Sequence, residues 1–331
     1  MKRRELLKSA FGLTAGMVGM SALKPLYASD DMVVRGPAVP DVAFTKVSDR
    51  CYYLLAKDPE PSPENFGFFS NPGFIVTSEG VVVIDTGGSV QIAEMVLRQI
   101  KKVTDKPVVA VINTHYHGDH WLGNHAFVAA NPNVDIYSHQ VVINQIKNGS
   151  GDFWIGFMQR TTGNLVTGTI ATSPTKALAG GETLKFGDTT LKIHYFDKVH
   201  TESDLAIEVV EDKVLYSGDM MMRRIANMAD GSYVGSIAAM DKIKALPVDT
   251  YIPGHGHHDG EKLPNEFKTF CETIYNDVAK YYDEGMSDFE MKPKIMENPF
   301  MKDVASQWPG YDSTLGKFIV VAIAEVEKNM F

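Results

Sequence analysis

The sequence has little cysteine, no long hydrophobic run and no excess of positive charge, and each of these shortages excludes a class of protein. Two cysteines among 331 residues, Cys51 and Cys271, are too few for a cysteine-based zinc cluster or a disulfide framework. No apolar run reaches the roughly 18 to 20 residues that cross a bilayer, which excludes a polytopic membrane protein. The 41 acidic residues outnumber the 32 basic ones, so a net charge of −9 disfavours nucleic acid as a partner.

What the sequence does have is an ordinary globular composition together with many histidines. Apolar residues make up 44% of the chain and charged residues 22%, which excludes disordered and fibrous classes. Ten histidines are present, seven of them between residues 115 and 200 and three between 255 and 258. This clustering makes metal binding the first hypothesis to test against the pattern of strands and helices.

The first 28 residues are typical of an export signal. They combine a cationic start, a weakly apolar stretch from Ser9 to Leu23 and small residues at the end. Arg3 and Arg4 resemble the twin-arginine signal, with Leu6 where Phe is usual, and this resemblance implies a bacterial periplasmic destination. A general secretory signal or an amphipathic first helix are the alternatives. Removal of five basic residues and one acidic residue would change the net charge from −9 to −13, without leaving a stable membrane anchor.

The remaining chain predicts alternating strands and helices in one mature domain. Apolar alternation predicts strands in 41–56 (two, broken at Asp49-Arg50), 73–77, 80–85, 108–113, 134–137, 189–196, 203–210, 213–217 and 249–252. Helical periodicity predicts helices at 89–102, 121–130, 140–147, 232–246, 262–285 and 313–329. Residues 148–172 are rich in glycine and show no clean period, so we predict an irregular insertion near a site.

Four potential metal ligands lie within six residues after the strand predicted at 108–113. They are His115, His117, Asp119 and His120, and Gly118 allows the tight turn that brings the last two around. Imidazole and carboxylate are side chains that zinc accepts. Because four ligands are too many for one tetrahedral ion that must also hold a water, the pattern predicts two metals.

Three further candidate ligands lie beside other predicted strands. His200 precedes the strand at 203–210, Asp219 follows the strand at 213–217, and His255 follows the strand at 249–252. Active-site groups are commonly carried on loops that a rigid sheet holds in place. These distant partners therefore favour a metallohydrolase over a histidine-rich surface tract that binds metal only incidentally.

Taken together, the motifs resemble those of the metallo-β-lactamase superfamily. In the order of that family the chain carries Gly80-Val-Val-Val-Ile-Asp85-Thr-Gly, His115-x-His117-x-Asp119-His120, His200, Asp219 and Pro253-Gly-His255. The match covers roughly residues 42–260. The resemblance implies an α/β fold, a four-layer αββα sandwich, with a catalytic domain at 29–260 and a helical C-terminal extension at 261–331 packed on it.

The resemblance also assigns roles to the candidate ligands. His115, His117 and His200 would hold the first metal, Asp119, His120 and His255 the second, and Asp219 would bridge both, as in glyoxalase-II-like hydrolases. Many β-lactamases of the family carry Cys at the position of Asp219, which argues against antibiotic resistance. Asp85 resembles the family's structural aspartate that braces the ligand loop. Two Zn²⁺ ions are expected, with iron or manganese as alternatives and with one or two sites filled.

The implied function is a periplasmic metal-dependent hydrolase, in which a bridging hydroxide attacks an ester, thioester, lactone or amide carbonyl of a small molecule. Asp119 is expected to orient that hydroxide and move its proton, which would make it catalytic as well as a ligand. The chain looks most like exported hydrolases associated with sulfur oxidation or quinoprotein systems. An iron-dependent sulfur or persulfide dioxygenase and a non-enzymatic metal-binding accessory protein are the alternatives.

Two aromatic clusters and an arginine are candidates for the substrate pocket. They are Phe66, Phe68, Phe69, Trp154 and Arg223. Aromatic loops beside a metal site often form the apolar wall of a pocket, although such residues also pack on one another in cores. The sequence leaves open the substrate, the oligomeric state, the pairing of the cysteines and the role of residues 261–331.

Overall fold

The computed structural model describes residues 34–330, so the predicted export signal at 1–28 lies outside the described residues and stays a prediction. The described residues 34–330 form one compact unit. In the described part of the chain, no helix combines the length and the apolar character that crossing a membrane requires.

Two sheets form the centre of the fold. The first contains, in order, β1 (Phe44–Lys46), β2 (Cys51–Leu54), β3 (Gly73–Val76), β4 (Val81–Ile84), β5 (Val108–Ile112), β6 (Asp135–His139) and β7 (Lys176–Leu178). It is antiparallel from β1 to β4 and parallel from β4 to β7. The second contains β8 (Thr183–Phe186), β9 (Thr189–Tyr195), β10 (Leu205–Val209), β11 (Val214–Met222) and β12 (Thr250–His255). Its strand order is β12-β11-β10-β9-β8, and β11 and β12 run parallel.

Ten α-helices flank these sheets in the described residues. They are α1 (Val90–Val103), α2 (Gly118–Trp121), α3 (Asn124–Ala130), α4 (Gln140–Gln145), α5 (Gly151–Thr161), α6 (Tyr233–Lys244), α7 (Lys262–Asp283), α8 (Asp288–Met296), α9 (Pro299–Asp303) and α10 (Tyr311–Met330). Ser89 begins α1 by accepting a hydrogen bond from the amide of Ile92, and Ser232 caps α6 in the same way through Gly235.

Strand β4 shows why the layers stack as they do. All four of its residues are buried and apolar, because both faces of this part of the sheet are covered. Val81 and Val83 pack against α1 and α3, whereas Val82 and Ile84 pack against the second sheet. The alternation gives the αββα sandwich, and the predicted fold class is confirmed.

The C-terminal helices pack on the outer face of the second sheet. Phe267 and Phe270 of α7 and Ile319 of α10 lie in the same buried cluster as Leu215 of β11 and Tyr251 of β12. Residues after 260 therefore extend the hydrophobic core of the sandwich.

The structure differs from the predicted elements chiefly at residues 148–172, where a π turn (146–150) leads into α5. The predicted irregular insertion is wrong for residues 151–161, which form α5, whereas residues 162–172 contain neither helix nor strand. The helix escaped prediction because glycines interrupt its pattern and only Gly151 and Met158 are buried. The strands β7 and β8 and the helices α8 and α9 escaped prediction as well. They are short, and the two strands are partly exposed.

Cys51 and Cys271 are both free and buried. Cys51 lies between the two sheets, whereas Cys271 lies among the outer helices, so the two thiols sit in different layers. Burial raises the pKa of Cys51 to about 12 and also raises the pKa of Cys271, so both are inert thiols.

Candidate metal centre

Seven side chains from four segments of the chain meet at one edge of the sandwich, and we call this set of residues the ligand edge. They are His115, His117, Asp119, His120, His200, Asp219 and His255. The first four follow β5, with Asp119 and His120 on the short helix α2. His200 lies between β9 and β10, and His255 is the last residue of β12. Asp219 lies within β11, which runs further than the predicted strand through register irregularities around Gly218.

Two glycines let the backbone approach these ligands closely. A Cβ atom on Gly254 would lie 2.0 Å from Oδ1 of Asp219, so no side chain fits between the ends of β11 and β12. A Cβ on Gly118 would lie 2.6 Å from the side chain of Trp154, which packs directly over α2. Glycine is therefore required by close packing in both the His-x-His-Gly-Asp-His and the Pro-Gly-His segments.

The ligand atoms of these side chains form three overlapping groups. His115, His117 and His200 form one, His115, His120 and Asp219 a second, and Asp119, His120 and His255 a third. Within each group the ligand atoms lie within 4.8 Å of one another. The first and third groups are the two triads that the motif predicts.

Asp219 lies between the two triads. Its Oδ2 is 3.4 Å from Nε2 of His200 and 3.2 Å from Nε2 of His255, and its Oδ1 is 3.3 Å from Nε2 of His120. One carboxylate thus contacts a histidine of the first triad and two of the second. This is the position that a bridging ligand between two cations would need.

Buried atoms without a hydrogen-bond partner indicate that these residues fit a metal. Nε2 of His115, His120 and His255 and Oδ1 of Asp219 are buried and make no hydrogen bond within the described residues. Nδ1 of His200 is also buried without a partner, although Nε2 is the atom of that ring which faces the other ligands. An unsatisfied buried polar atom is costly, and imidazole nitrogens with carboxylate oxygens are donors that zinc, iron and manganese accept.

Hydrogen bonds on the far side of the rings fix which nitrogen faces the centre. Nδ1 of His120 donates to Oδ2 of Asp85 over 2.8 Å, and Nδ1 of His255 donates to the carbonyl of Phe69 over 2.7 Å. Nε2 of His117 donates to Oδ2 of Asp230 over 3.1 Å. Each of these rings then turns its other nitrogen to the centre, as metal-ligating histidines do.

Asp85 braces the ligand loop in the way that the sequence predicts for it. Besides His120, it accepts the backbone N–H of Thr114 at Oδ1 and the Thr114 hydroxyl at Oδ2, both over 2.8 Å. Its φ of +58° is unusual for a residue other than glycine, and strained residues of this kind cluster at functional sites. One buried carboxylate therefore holds both the start of the ligand loop and a ligand ring.

Two carboxylates that sequence reasoning missed also support the ligands. Asp230, in the loop before α6, bonds His117, and Asp204 accepts the backbone N–H groups of His200 and Thr201 over 2.6 and 2.8 Å. Burial raises the pKa of Asp204 to about 6 despite these hydrogen bonds. The position of Asp204, four residues after His200, could have indicated its role from the sequence. Asp230 lies in no motif, and only the tertiary structure brings it next to His117.

The charges of the ligand edge are arranged for cations. Burial lowers the pKa of His115 well below its usual value and that of His200 to about 3, which keeps both rings neutral. Burial alone would raise the pKa of Asp119 and Asp219, but neighbouring histidines lower both well below the usual range. Burial alone would lower the pKa of His120, yet the surrounding carboxylates raise it well above normal.

A cavity of about 510 Å³ opens onto this centre, with His117, Asp119 and Asp219 at its base. One wall is α5, through Trp154, Phe157 and Thr161, and the opposite wall is α10. Residues of α10 that line the cavity are Thr314, Lys317, Phe318 and Val321. The C-terminal extension is therefore part of the wall of the candidate site.

The residues predicted to line the pocket separate into two sets. Phe69 and Trp154 line the cavity. Phe68 is instead buried in the core against α1, and Phe66 packs on the same cluster, because the loop turns them away from the ligand edge. Arg223 faces a different cavity and bonds Asp259 and Glu266 over 2.7 and 2.9 Å, whereas its neighbour Arg224 lines the cavity over the ligands.

Comparisons with known proteins agree with this geometry. The family model of the metallo-beta-lactamase superfamily matches residues 65–255, more than half of the chain and all of the ligand edge. The chain is 23% identical to the linear primary-alkylsulfatase of Pseudomonas sp. (strain ATCC 19151), over 69% of this chain and 50% of that protein. It is 26% identical to the metallo-beta-lactamase type 2 of Bacillus sp. (strain 170), over 56% of this chain and 66% of that protein. The chain thus spans about half to two thirds of the length of these relatives.

A solved structure extends the likeness of fold beyond the segment that the family model matches. A double mutant of a sec-alkyl sulfatase superposes with a TM-score of 0.66 at 17% identity, covering 88% of this chain and 50% of that chain. At this identity the likeness concerns the fold alone. The ordered motifs, the αββα sandwich and the family match together show that the chain belongs to the metallo-β-lactamase superfamily, whose members are hydrolytic enzymes.

Proposed function

We propose that the protein is a metal-dependent hydrolase that cleaves an ester, thioester, lactone or amide bond of a small molecule, with two Zn²⁺ ions on the ligand edge. The observation that carries the proposal is the convergence of five histidines and two carboxylates below an open cavity, with buried ligand atoms left without hydrogen bonds. A non-enzymatic metal store would need no such access. The periplasmic location rests on the leader sequence.

The roles of the residues follow from their positions. His115, His117 and His200 would hold one ion, Asp119, His120 and His255 the other, and Asp219 would lie between them. When bound, such ions lower the pKa of water and polarise a substrate carbonyl. Asp119 is the carboxylate of the second triad that lines the cavity, so we assign to it the orientation of the attacking water and the transfer of its proton.

Metal analysis of the protein purified from its native compartment, with a screen of esters, thioesters, lactones and β-lactams, tests this proposal. We expect two zinc ions per chain and turnover of at least one carbonyl substrate. One iron per chain with oxygen consumption would instead establish the dioxygenase. A metal-loaded protein without any turnover would favour the accessory role.

A pair of variants separates the ligand edge from the other histidines. His115→Ala combined with His117→Ala should bind less metal and lose turnover of activated esters, because the first triad keeps one ligand. His257→Ala is the matched control, since His257 is exposed and lies outside the three ligand groups. Undiminished turnover in the double variant, measured with circular dichroism to verify the fold, would rule out the proposal.

A further inference from the structure

Two adjacent arginines after β11 have different surroundings. Arg223 is neutralised by Asp259 and Glu266. Arg224 lines the cavity over the ligand edge, and among the described residues no carboxylate lies within 4.0 Å of its guanidinium group. Its Nη1 donates to the carbonyl oxygen of Pro59, while its Nε is buried without a hydrogen-bond partner. Arg224 therefore brings a positive charge to the cavity that the described residues leave uncompensated.

The C-terminal helix brings a second cation to the same cavity. Lys317 of α10 lines it and is exposed, and it forms no ion pair with any described residue. Besides Asp119 and Asp219, the carboxylate that lines the cavity is Glu60, which is exposed. Two unpaired cations beside a site for metal cations repel both the metals and each other, unless an anion lies among them.

Aromatic side chains line the same cavity as these two cations. Trp154 and Phe157 of α5 form one side, and Phe318 of α10 forms the other. A volume of about 510 Å³ is within the range of small-molecule sites, in which a few charged groups fix the orientation of a largely apolar ligand. The lining of this one cavity therefore combines residues of the ligand edge, aromatic side chains and two cations.

We propose that Arg224 and Lys317 form an anion subsite, and that the substrate is a small ester or thioester with a second, negatively charged group such as a carboxylate. The reacting carbonyl would lie over Asp119 and Asp219. The guanidinium and ammonium groups would bind the anionic group of the substrate, and its apolar segment would lie between α5 and α10. The inference rests on the proposed hydrolytic function and specifies its substrate class.

Two esters of equal length test the proposal. The para-nitrophenyl monoester of glutaric acid and para-nitrophenyl pentanoate differ only in a terminal carboxylate in place of a methyl group. In the unaltered protein we expect the higher kcat/KM for the glutarate ester. Arg224→Gln should lower the glutarate-to-pentanoate ratio of kcat/KM about tenfold or more, because a charge-assisted hydrogen bond is lost. Lys317→Gln should lower it about two- to fivefold, because Lys317 is exposed.

Further variants and a binding measurement complete the test. Arg224→Lys keeps the charge and should restore part of the ratio, and Lys328→Gln, at the far end of α10, changes net charge equally and should leave it unaltered. Calorimetric titration of each zinc-loaded protein with glutarate measures the subsite without turnover, and Arg224→Gln should weaken this binding by the same factor. An unchanged ratio and unchanged glutarate affinity in both variants would overturn the subsite. Failure of the unaltered protein to hydrolyse either ester, with glutarate binding retained, would instead refute hydrolysis of such esters and leave the subsite standing.

Discussion

The ligand edge is more deeply buried and more firmly held by hydrogen bonds than the cavity walls formed by α5 and α10. Ligands such as His115 and His120 are fully buried, and the far side of most rings is held by a hydrogen bond at 2.7–3.1 Å. The walls instead carry partly exposed side chains such as Trp154 and Phe318, and Lys317 is exposed. A metal site depends on fixed geometry, whereas a substrate wall needs only shape and polarity. Under the proposed function, the rigid edge would therefore supply the chemistry, and the walls would select the substrate.

Among the variants that test this comparison, Asp85→Ala should have the largest effect on metal binding and stability. The substitution leaves the His120 ring N–H and two Thr114 donors buried without an acceptor, and it puts alanine at a positive φ. We expect metal affinity to fall about 10- to 100-fold and the free energy of unfolding to fall by about 3 kcal/mol. Chelator competition and urea denaturation measure the two quantities.

Asp85→Asn is the milder control, because asparagine tolerates a positive φ and keeps one oxygen acceptor. If Asp85→Ala bound metal with unchanged affinity, metal binding at the ligand edge would not depend on the hydrogen bonds that support it.

An intermediate effect should come from Glu325→Ala, which tests whether α10 also supports the ligand edge. Glu325 accepts the hydroxyl hydrogen of Ser232 and the N–H groups of Tyr233 and Val234 over 2.6–3.2 Å, and so anchors the loop that carries Asp230 to His117. We expect a loss of about 1–2 kcal/mol in the free energy of unfolding, as for a lost helix cap. Metal affinity should fall severalfold.

Glu327→Ala provides the matched control on the same helix, because Glu327 is exposed and bonds only the hydroxyl of Tyr282 among the described residues. If Glu325 acts through Asp230, the metal affinities of Glu325→Ala, Asp230→Ala and the double variant should be non-additive. Additive losses of metal affinity would show that Glu325 does not act through Asp230.

The smallest effect should come from Phe318→Ala in the cavity wall. We expect KM for an ester with an apolar chain to rise about fivefold, since part of one aromatic side chain's buried area is lost. Metal content should stay as it was. Val320→Ala, on the exposed side of the same helix, should leave KM unaltered. Equal KM values for both variants would show that α10 does not contact the substrate.

The metal motifs were readable from the sequence because each is local. His115 to His120 lie on one short turn after β5, and the sheet register places His200, Asp219 and His255 at the same edge. The cavity was less predictable. Arg223 and Arg224 are adjacent and chemically alike, and only the position of Asp259 and Glu266 distinguishes the paired arginine from the free one. Helix α5 was missed because only two of its residues are buried and its other apolar side chains are partly exposed.

The sequence by itself identified the seven candidate ligands, and its ordered motifs, through their family resemblance, implied the two-sheet sandwich and the bracing role of Asp85, because each motif spans only a few residues. Only the tertiary structure decided that α10 forms a cavity wall, that Asp230 supports His117 and that Arg224 faces the metal edge. Those contacts join residues far apart in the chain, and they depend on how helices pack on a sheet. Such packing is set by the sum of many weak apolar contacts and leaves no short signature in the sequence.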